Sequence, residues 1–387
     1  MNYVLVDLAD RNNFYPFSLT RSVAELRVGM FTFQQRWELS LASETSIFTA
    51  KYLQNLYSNN DFLSTKDPLI FINVTCLPTD DLIVEINNLA EGEKLMDEAG
   101  KWIATHCTDR DLAKILLANL PPKIASDVKW IKNAVHLLAI QASLIQTDFN
   151  WIKSNRKGQI PDPSNRVVNS DNIFIEESAT VTCSNLNATE GPIYIGKQAI
   201  IMEGVSIRGP FALGDKGVVK MNTSIYGATT IGPKCVAGGE IKNSIIMGYS
   251  NKAHEGYLGD SILGFWCNVG AGTSNSNIKN TAGKVQLWNE ATHEWDTIGQ
   301  KMGMLVGDYS RFAIQSSINT GSYIGVSANV FGNGLLPKNL PDFTWGILPG
   351  YQLEKALDDI QNWKILKESN ISEMEKNILT YLHRGIK

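Results

Sequence analysis

Cysteine and histidine are scarce in this chain of 387 residues, with five of each. The five cysteines are scattered, odd in number and without a C-x-x-C pair. A disulfide framework or a thiolate zinc site needs paired or closely spaced cysteines, so the sequence argues against both. A reducing cytoplasm fits this usage best. The cysteines are Cys76, Cys107, Cys183, Cys235 and Cys267.

The histidine spacing also argues against a histidine-bound metal, and the sequence assigns no metal ligand. No H-x-x-H or H-E-x-x-H motif occurs, although that spacing is what places two imidazoles on one helix face. Four histidines lie in separate segments, namely His106, His136, His293 and His383. The fifth, His254, lies in a polar, glycine-bearing stretch.

Basic charge and long apolar runs are missing as well. The formal net charge is -4 and the sequence pI is about 5.8, so no global basic field exists to hold nucleic acid or an anionic membrane. No uncharged apolar run reaches the length of a membrane span, and the run that starts at Met1 and ends at Asp7 is too short for a signal peptide. We expect a soluble protein without nucleic-acid or membrane partners.

What the chain does contain is an aliphatic residue at every sixth position through its middle. The spacing indicates a parallel β-helix, because a six-residue unit supplies one short strand and one turn, and three units close a triangular coil. The fourth residue after each aliphatic is mostly compact, as a crowded turn corner requires. A β-sandwich is the alternative, but its strands alternate with period two. The aliphatics are Ile195, Ile201, Ile207, Leu213, Val219, Ile225 and Ile231.

The same spacing returns further along the chain, after shorter runs that include Ile246, Lys252 and Leu258, and then Leu263 and Val269. We therefore predict one β-helix over residues of about 165–336, interrupted by loops. The returning positions are Val306, Phe312, Ile318, Ile324 and Val330.

The N-terminal region reads as an α/β domain. Apolar runs at Tyr3–Asp7 and Pro68–Val74 predict buried strands, and helical spacing occurs at Arg21–Leu41, Thr108–Leu120 and Val135–Trp151. Strands that alternate with helices indicate a mainly parallel sheet. The predicted domains are 1–158, 159–348 and, with helical spacing again, 349–387.

The loop after Asp7 is the expected ligand-binding edge of that sheet, and it lacks glycine until Gly29. Three arginines, Arg11, Arg21 and Arg27, could bind phosphate there in place of a glycine-rich cradle. An equally good interpretation is that they only pair with nearby carboxylates. Those carboxylates are Asp7, Asp10 and Glu25.

Polar residues gather where the six-residue repeat is least regular, around His254. A lone histidine in a turn is more often structural than catalytic. Acyl transfer to an amine, however, needs a base such as imidazole, and a backbone N–H in the turn Val269–Thr273 could bind the oxyanion. Lys242, Tyr257 and Asn277 fall within one or two coils of His254 and could bind a sugar phosphate. For Gly270 and Gly272, turn geometry alone is a sufficient explanation.

Three runs carry a resemblance to a known family: Gly239-Glu-Ile-Lys242, Asn251-Lys-Ala-His254-Glu-Gly-Tyr-Leu-Gly-Asp260 and Gly270-Ala-Gly-Thr273 with Asn277. They resemble the acetyltransferase half of bifunctional N-acetylglucosamine-1-phosphate uridyltransferase/glucosamine-1-phosphate acetyltransferases. The opening segment Arg11–Gly29, with Asn319-Thr-Gly321 and Phe343-Thr-Trp-Gly346, is similar to the divergent subfamily of Bacteroidetes-type bacteria.

The resemblance implies a fold, two reactions and a set of site residues. The fold is a nucleotidyltransferase-like α/β domain, a left-handed parallel β-helix that forms a homotrimer, and C-terminal helices. The reactions are uridylyl transfer from UTP with Mg²⁺, and acetyl transfer from acetyl-CoA to glucosamine 1-phosphate. His254 would be the general base, and Lys242, Tyr257, Asn277 and Lys284 would bind substrate. Acetyl-CoA would be bound by Gly270, Ala271, Gly272 and Thr273.

The chain also departs from the family pattern. It has no arginine near residues 225–227 for the sugar phosphate, no glycine-rich L-x-x-G-x-G-T-R-M loop, and Asn73 near the expected metal aspartate. Two other functions therefore stay open: a nucleotidyltransferase with the β-helix as a trimerising scaffold, and a non-catalytic protein that binds sugar nucleotides.

Overall fold

The structure is a computed structural model that describes residues 2–57, 66–110 and 122–385. Its residue contacts divide the chain into two compact units. The first unit comprises residues 1–14, 20–26 and 31–133, and the second comprises 15–19, 27–30 and 134–387. The predicted helix Thr108–Leu120 falls largely outside the described residues. Among the described residues, no helix is both long enough and apolar enough to cross a bilayer.

The first unit is built on a six-stranded mixed sheet. Its strand Asn2–Val6 is parallel to both Thr45–Phe48 and Leu69–Asn73, and Trp102–Cys107 continues the sheet in the antiparallel direction. Val4, Val6, Leu69 and Phe71 form a buried apolar cluster within this sheet. In sheet order the strands are Thr45–Phe48, Asn2–Val6, Leu69–Asn73, Trp102–Cys107, Glu93–Asp97 and Pro122–Ala125.

The helix predicted at Arg21–Leu41 is wrong over its first half. The helix begins at Phe33 because Thr32 and Gln35 form a reciprocal capping box. Before it, Ser22 caps only a single 3-10 turn. The remaining short elements are the strands Arg27–Val28 and Phe31–Thr32, the 3-10 turns Arg11–Phe14, Phe17–Leu19, Val23–Glu25 and Gln54–Tyr57, and the helices Phe33–Leu41 and Asp80–Asn87.

The second unit is the predicted parallel β-helix, and its three faces are parallel sheets. Its first strand begins at Arg166, and its last parallel strand ends at Gly346, which is about ten residues, or half a coil, beyond the predicted end. This confirms the predicted order of an α/β domain, a parallel β-helix and C-terminal helices.

Each coil contributes one strand to each face, except that the last coil has only the isolated bridge from Leu335 to Ser317 on the third face. The first face contains Ile173–Ile175, Ile193–Ile195, Phe211–Leu213, Thr229–Ile231, Ile245–Gly248, Ile262–Phe265, Met304–Val306, Ser322–Ile324 and Asn339–Leu340. The second face contains Thr180–Val181, Ile200–Ile201, Val218–Val219, Val236–Ala237, Asn251–Lys252, Asn268–Val269, Arg311–Phe312, Asn329–Val330 and Thr344–Gly346, with Leu348–Pro349 added antiparallel.

The third face contains Arg166–Val168, Asn185–Asn187, Ser206–Arg208, Ser224–Tyr226, Glu240–Lys242 and Tyr257–Gly259, followed by the separate pair Ser274–Asn275 and Ser317–Ile318. A hairpin, Val285–Asn289 and Glu294–Gly299, interrupts the coils between residues 275 and 304. A 3-10 turn, Ser170–Asn172, lies near the start of the β-helix.

All seven aliphatics of the six-residue repeat are buried in one continuous core, as predicted. The compact residues at the fourth position after each aliphatic do more than fill turn corners, because Ala199, Val205, Phe211 and Cys235 belong to the same core. Side chains alternate along a strand, so positions two residues apart both point inward. The β-helix therefore buries two positions of each six-residue unit.

The helix Val135–Trp151 is confirmed and spans His136–Asn155. It belongs to the second unit, where its Gln141 donates to Asn243 at 3.3 Å and its Asp148 accepts from the Met30 amide at 3.0 Å. The C-terminal helices, Leu353–Ile365 and Glu373–His383, pack against the β-helix through hydrogen bonds from Arg311 to the Asp359 carbonyl oxygen and from the Tyr309 hydroxyl to Glu375. Lys367, just past the first of them, donates to Asn251 at 2.8 Å.

Replacing one inward aliphatic tests this core. We expect Ile225→Ala, at a position that is 1% exposed, to lower the free energy of unfolding by about 2–5 kcal/mol through lost burial and a residual cavity. The matched control Met221→Ala, at a position that is 58% exposed, should change it little. Urea denaturation of both variants measures the difference, and equal effects would contradict the assigned core.

Candidate active site

The polar corner around His254 is a tight turn between two faces of the β-helix. Residues 253–256 connect the strand Asn251–Lys252 on the second face to Tyr257–Gly259 on the third. The side chain of His254 is exposed, and no hydrogen bond to its imidazole occurs within the described parts of the chain. The ring is therefore accessible to a ligand on both of its nitrogens.

Gly256 makes this turn possible. Its φ of +123° is a conformation that residues with a side chain rarely adopt, and a Cβ atom there would lie 2.1 Å from the carbonyl oxygen of Thr273. The absence of a side chain therefore allows the His254 turn to pack directly against the turn of the next coil.

That next turn consists of Gly270, Ala271, Gly272 and Thr273, the residues that the resemblance assigns to acetyl-CoA. The amide of Gly272 donates to the carbonyl oxygen of Glu255 at 2.9 Å, which joins the two turns. The amides of Gly270 and Thr273 also donate within the backbone, whereas no bond from the Ala271 amide occurs in the described chain. The structure thus brings His254 and this turn together and leaves Ala271 as an available N–H donor.

On the third face, Lys242 and Tyr257 lie on two neighbouring, paired strands. Lys242 pairs in register with Gly259, and a Cβ atom at Gly259 would lie 2.2 Å from the hydroxyl of Tyr257. The Tyr257 ring therefore lies over Gly259. Burial, reinforced by the Asp260 carboxylate, raises the pKa of Tyr257 to about 12, so the hydroxyl stays protonated.

Asn277 joins this group through Asp260, whose role the sequence did not reveal. Asp260 accepts hydrogen bonds from Asn277 at 2.5 Å and from Asn243 at 2.7 Å, and Asn277 also contacts the Tyr257 hydroxyl. Asp260 is 7% exposed, so its carboxylate holds the Asn277 amide from the buried side. The sequence did offer one signal for Asp260, which is its position directly after Tyr257-Leu-Gly259.

Tyr226 lies in the segment 225–227, where the resemblance leads us to expect an arginine for the sugar phosphate. Tyr226 pairs in register with Lys242, and its hydroxyl donates to Glu240 at 2.5 Å. That hydrogen bond, with burial, raises the pKa of Tyr226 to about 12. Where the resemblance leads us to expect an arginine, this chain therefore has a neutral hydroxyl that is held by a carboxylate. Lys284 is exposed at the base of the hairpin, and no described contact joins it to Lys242 or Tyr257.

The three arginines predicted for phosphate have different surroundings. Arg11 is 5% exposed; its Nε lies 4.0 Å from Asp7, and its Nη2 donates to Tyr52 at 3.4 Å. Arg11 therefore agrees with the second interpretation given above, in which the arginines pair with nearby carboxylates. Arg21 belongs to the first unit, whereas Arg27 belongs to the second, where its guanidinium donates to the carbonyl oxygen of Met30.

A polar cluster lies where the parallel strands Asn2–Val6 and Leu69–Asn73 end, which is the expected ligand edge. Asp10 is its centre: Lys101 lies 3.0 Å away, Thr75 donates to it at 3.0 Å and Asn73 donates at 3.3 Å. The Lys101 ammonium also lies 4.0 Å from the centre of the Trp130 ring. Sequence reasoning missed Lys101 because it comes from a distant antiparallel strand pair.

The donors at this edge do not fit a resident magnesium ion. Magnesium takes oxygen ligands, including one or two carboxylates, but Asp10 already pairs with Lys101. Asp7 is 1% exposed, accepts from the Val23 amide and has its pKa raised by burial, against the opposing charge of Arg11. Within the described residues, no group of three or more His, Cys, Asp or Glu side chains is placed to hold a metal.

Comparison with known proteins relates parts of this chain to known transferases. Residues 3–157 match the family model described as sugar nucleotidyl transferase. The chain is 34% identical over 101 residues to a Bifunctional protein GlmU of Methanococcus vannielii, a match that covers 26% of this chain and 24% of the relative. It is 29% identical over 107 residues to a Bifunctional sugar-1-phosphate nucleotidylyltransferase/acetyltransferase of Sulfurisphaera tokodaii, covering 28% of this chain and 26% of that protein.

Among solved structures, PerB from Caulobacter crescentus in complex with CoA and GDP-perosamine aligns with 88% of this chain and 91% of its own, at 11% identity and a TM-score of 0.14. The sequence matches define a sugar nucleotidyltransferase domain at residues 3–157 and support a GlmU-like family of transferases. The matched segments span about a quarter of the relatives' lengths.

The imidazole of His254, which is exposed and has no hydrogen bond to any described residue, should be chemically reactive. We expect diethyl pyrocarbonate to modify His254 faster than His106, because His106 is half-buried and its Nδ1 lies 2.8 Å from the carbonyl oxygen of Leu89. Peptide mass spectrometry over a time course measures both rates, with His254→Ala to assign the signal. A His254 that reacts more slowly than His106 would contradict the described corner.

Proposed function

We propose that the β-helix transfers an acetyl group from acetyl-CoA to the amine of glucosamine 1-phosphate, and that the N-terminal domain joins N-acetylglucosamine 1-phosphate to a uridylyl group from UTP. The observation that carries the first half is the exposed imidazole of His254 between two distinct surfaces. One surface is the turn Gly270–Thr273, and the other is the third-face group of Lys242, Tyr257 and Asn277.

The chemistry of these groups suits acyl transfer. The amine nitrogen attacks the thioester carbonyl while His254 accepts its proton, and the carbon–sulfur bond breaks as the tetrahedral intermediate collapses. The imidazolium then returns the proton to the departing thiolate of coenzyme A. The Ala271 amide, which has no backbone partner among the described residues, would donate to the developing oxyanion.

The acceptor would lie on the third face. Lys242 supplies the positive charge for its phosphate, and the protonated hydroxyl of Tyr257 and the amide of Asn277, held by Asp260, orient the sugar ring. With Tyr226 in place of an arginine, phosphate binding depends on Lys242. We include a homotrimer in the proposal, in line with the resemblance; light scattering of the purified protein tests it.

Replacing the proposed base tests acetyl transfer. We expect His254→Ala to lower the rate of free-thiol release from acetyl-CoA with glucosamine 1-phosphate by about 10²–10⁴-fold, because general-base catalysis contributes that much. His293→Ala, another exposed histidine, is the matched control and should keep wild-type activity. Wild-type turnover in His254→Ala would remove this residue from the mechanism.

The nucleotidyl half is tested with the same variant. Because His254 belongs to the second compact unit and the Asp10 cluster to the first, we expect His254→Ala to release pyrophosphate from UTP and N-acetylglucosamine 1-phosphate at the wild-type rate, with UTP supplied as its magnesium complex. Pyrophosphate release without thiol release in the wild type would favour a nucleotidyltransferase on a β-helix scaffold. Ligand binding without either release would favour a non-catalytic sugar-nucleotide-binding protein.

A further inference from the structure

A lysine occupies a core position of the β-helix beneath the His254 turn. Lys252 falls at an inward position of the six-residue repeat, pairs in register with the core residue Ala237, and is 2% exposed. Neighbouring coils use aliphatics in the same column, Val219 and Val269. A buried cation costs free energy unless its hydrogen-bonding partners are well placed. The Lys252 ammonium group therefore requires backbone or side-chain acceptors around it.

The hydrogen-bond partners of the Lys252 ammonium group explain why a lysine stands at this core position. The Nζ of Lys252 donates to the carbonyl oxygen of His254 at 2.5 Å and to the carbonyl oxygen of Gly238 at 2.9 Å. Gly238 lies in the turn of the preceding coil, where a Cβ atom would lie 2.5 Å from the carbonyl oxygen of Ala253. One ammonium group therefore fastens the backbone of His254 to the coil below it.

We propose that Lys252 is a positioning residue, which fixes the turn that carries His254 so that the imidazole faces the bound acceptor and thioester. This inference rests on the acetyltransferase function proposed above. Lys252 does not touch substrate, because its side chain is enclosed in the core. Burial lowers the pKa of Lys252 to about 8, and the nearby Glu255 carboxylate partly opposes this shift, so the ammonium form predominates at neutral pH.

The lysine's contribution can be separated from core stability by an apolar replacement of similar length. In Lys252→Met the core no longer has to bury a charge, while the two carbonyl oxygens lose their shared donor, which costs free energy. We expect a folded protein whose melting temperature is close to or below that of wild type, a kcat for thiol release lowered about 10- to 100-fold by misplacement of the base, and a KM for glucosamine 1-phosphate close to that of wild type. Lys252→Ile, the aliphatic used elsewhere in the repeat, should behave in the same way.

A second readout does not depend on turnover. Among the imidazole ¹³C–¹H resonances, that of His254 is assigned by its loss in His254→Ala. We expect this resonance to shift or broaden in Lys252→Met while that of His293 stays in place. If the wild type releases no thiol, the acetyltransferase proposal fails and this spectrum alone decides whether Lys252 positions His254.

Two results would overturn the inference. One is a Lys252→Met protein with wild-type kcat and an unchanged His254 resonance. The other is a failure of both Lys252→Met and Lys252→Ile to fold, because the lysine would then be required by the β-helix itself rather than by the position of His254.

Discussion

The structure of the second unit depends on the parallel register that stacks each coil on the one before it. Because inward positions pair with inward positions, Ile207 lies on Ile225 and Leu213 on Ile231. The same register brings residues that are 15 to 18 positions apart in sequence into columns on the surface. The candidate site is one such column, formed where the turns of three successive coils meet at a corner.

Backbone conformation at that corner follows from the stacking. Gly239, Gly256 and Gly272 occupy equivalent turns, with φ of +77°, +123° and +73°. At each of them a side chain would collide with an atom of the coil above. Glycine therefore allows the turns to approach one another, and the exposed His254 lies between turns that are fixed from both sides. Lys252 adds a hydrogen-bonded link from within the core.

The repeat made the β-helix predictable, because the period of the aliphatics reports directly on the closure of each coil. Counting along the same period also places His254, Lys242 and Tyr257 within neighbouring coils. It did not show that Asp260 holds Asn277, or that Tyr226 faces Lys242, because those contacts depend on which side chains share a face at a turn. The clearest missed signal was Lys252, a charged residue at an aliphatic position.

The N-terminal region was less predictable. Its strands at residues 2–6 and 69–73 follow from apolar runs, but the helix predicted from Arg21 failed because a capping box at Thr32 sets a later start. The Asp10 cluster depends on Lys101, which reaches it through an antiparallel strand pair that no local pattern predicts. Its chemistry differs from a carboxylate metal site, since the principal carboxylate already has a lysine partner.

A crystal structure of the protein with coenzyme A and glucosamine 1-phosphate would show directly whether the two substrates meet at His254. We expect the coenzyme thiol beside the turn Gly270–Thr273 and the sugar amine on the side of Lys242 and Tyr257, with the imidazole of His254 within hydrogen-bond reach of that amine. Ligands bound to another face of the β-helix, or a His254 ring turned away from both, would contradict this expectation.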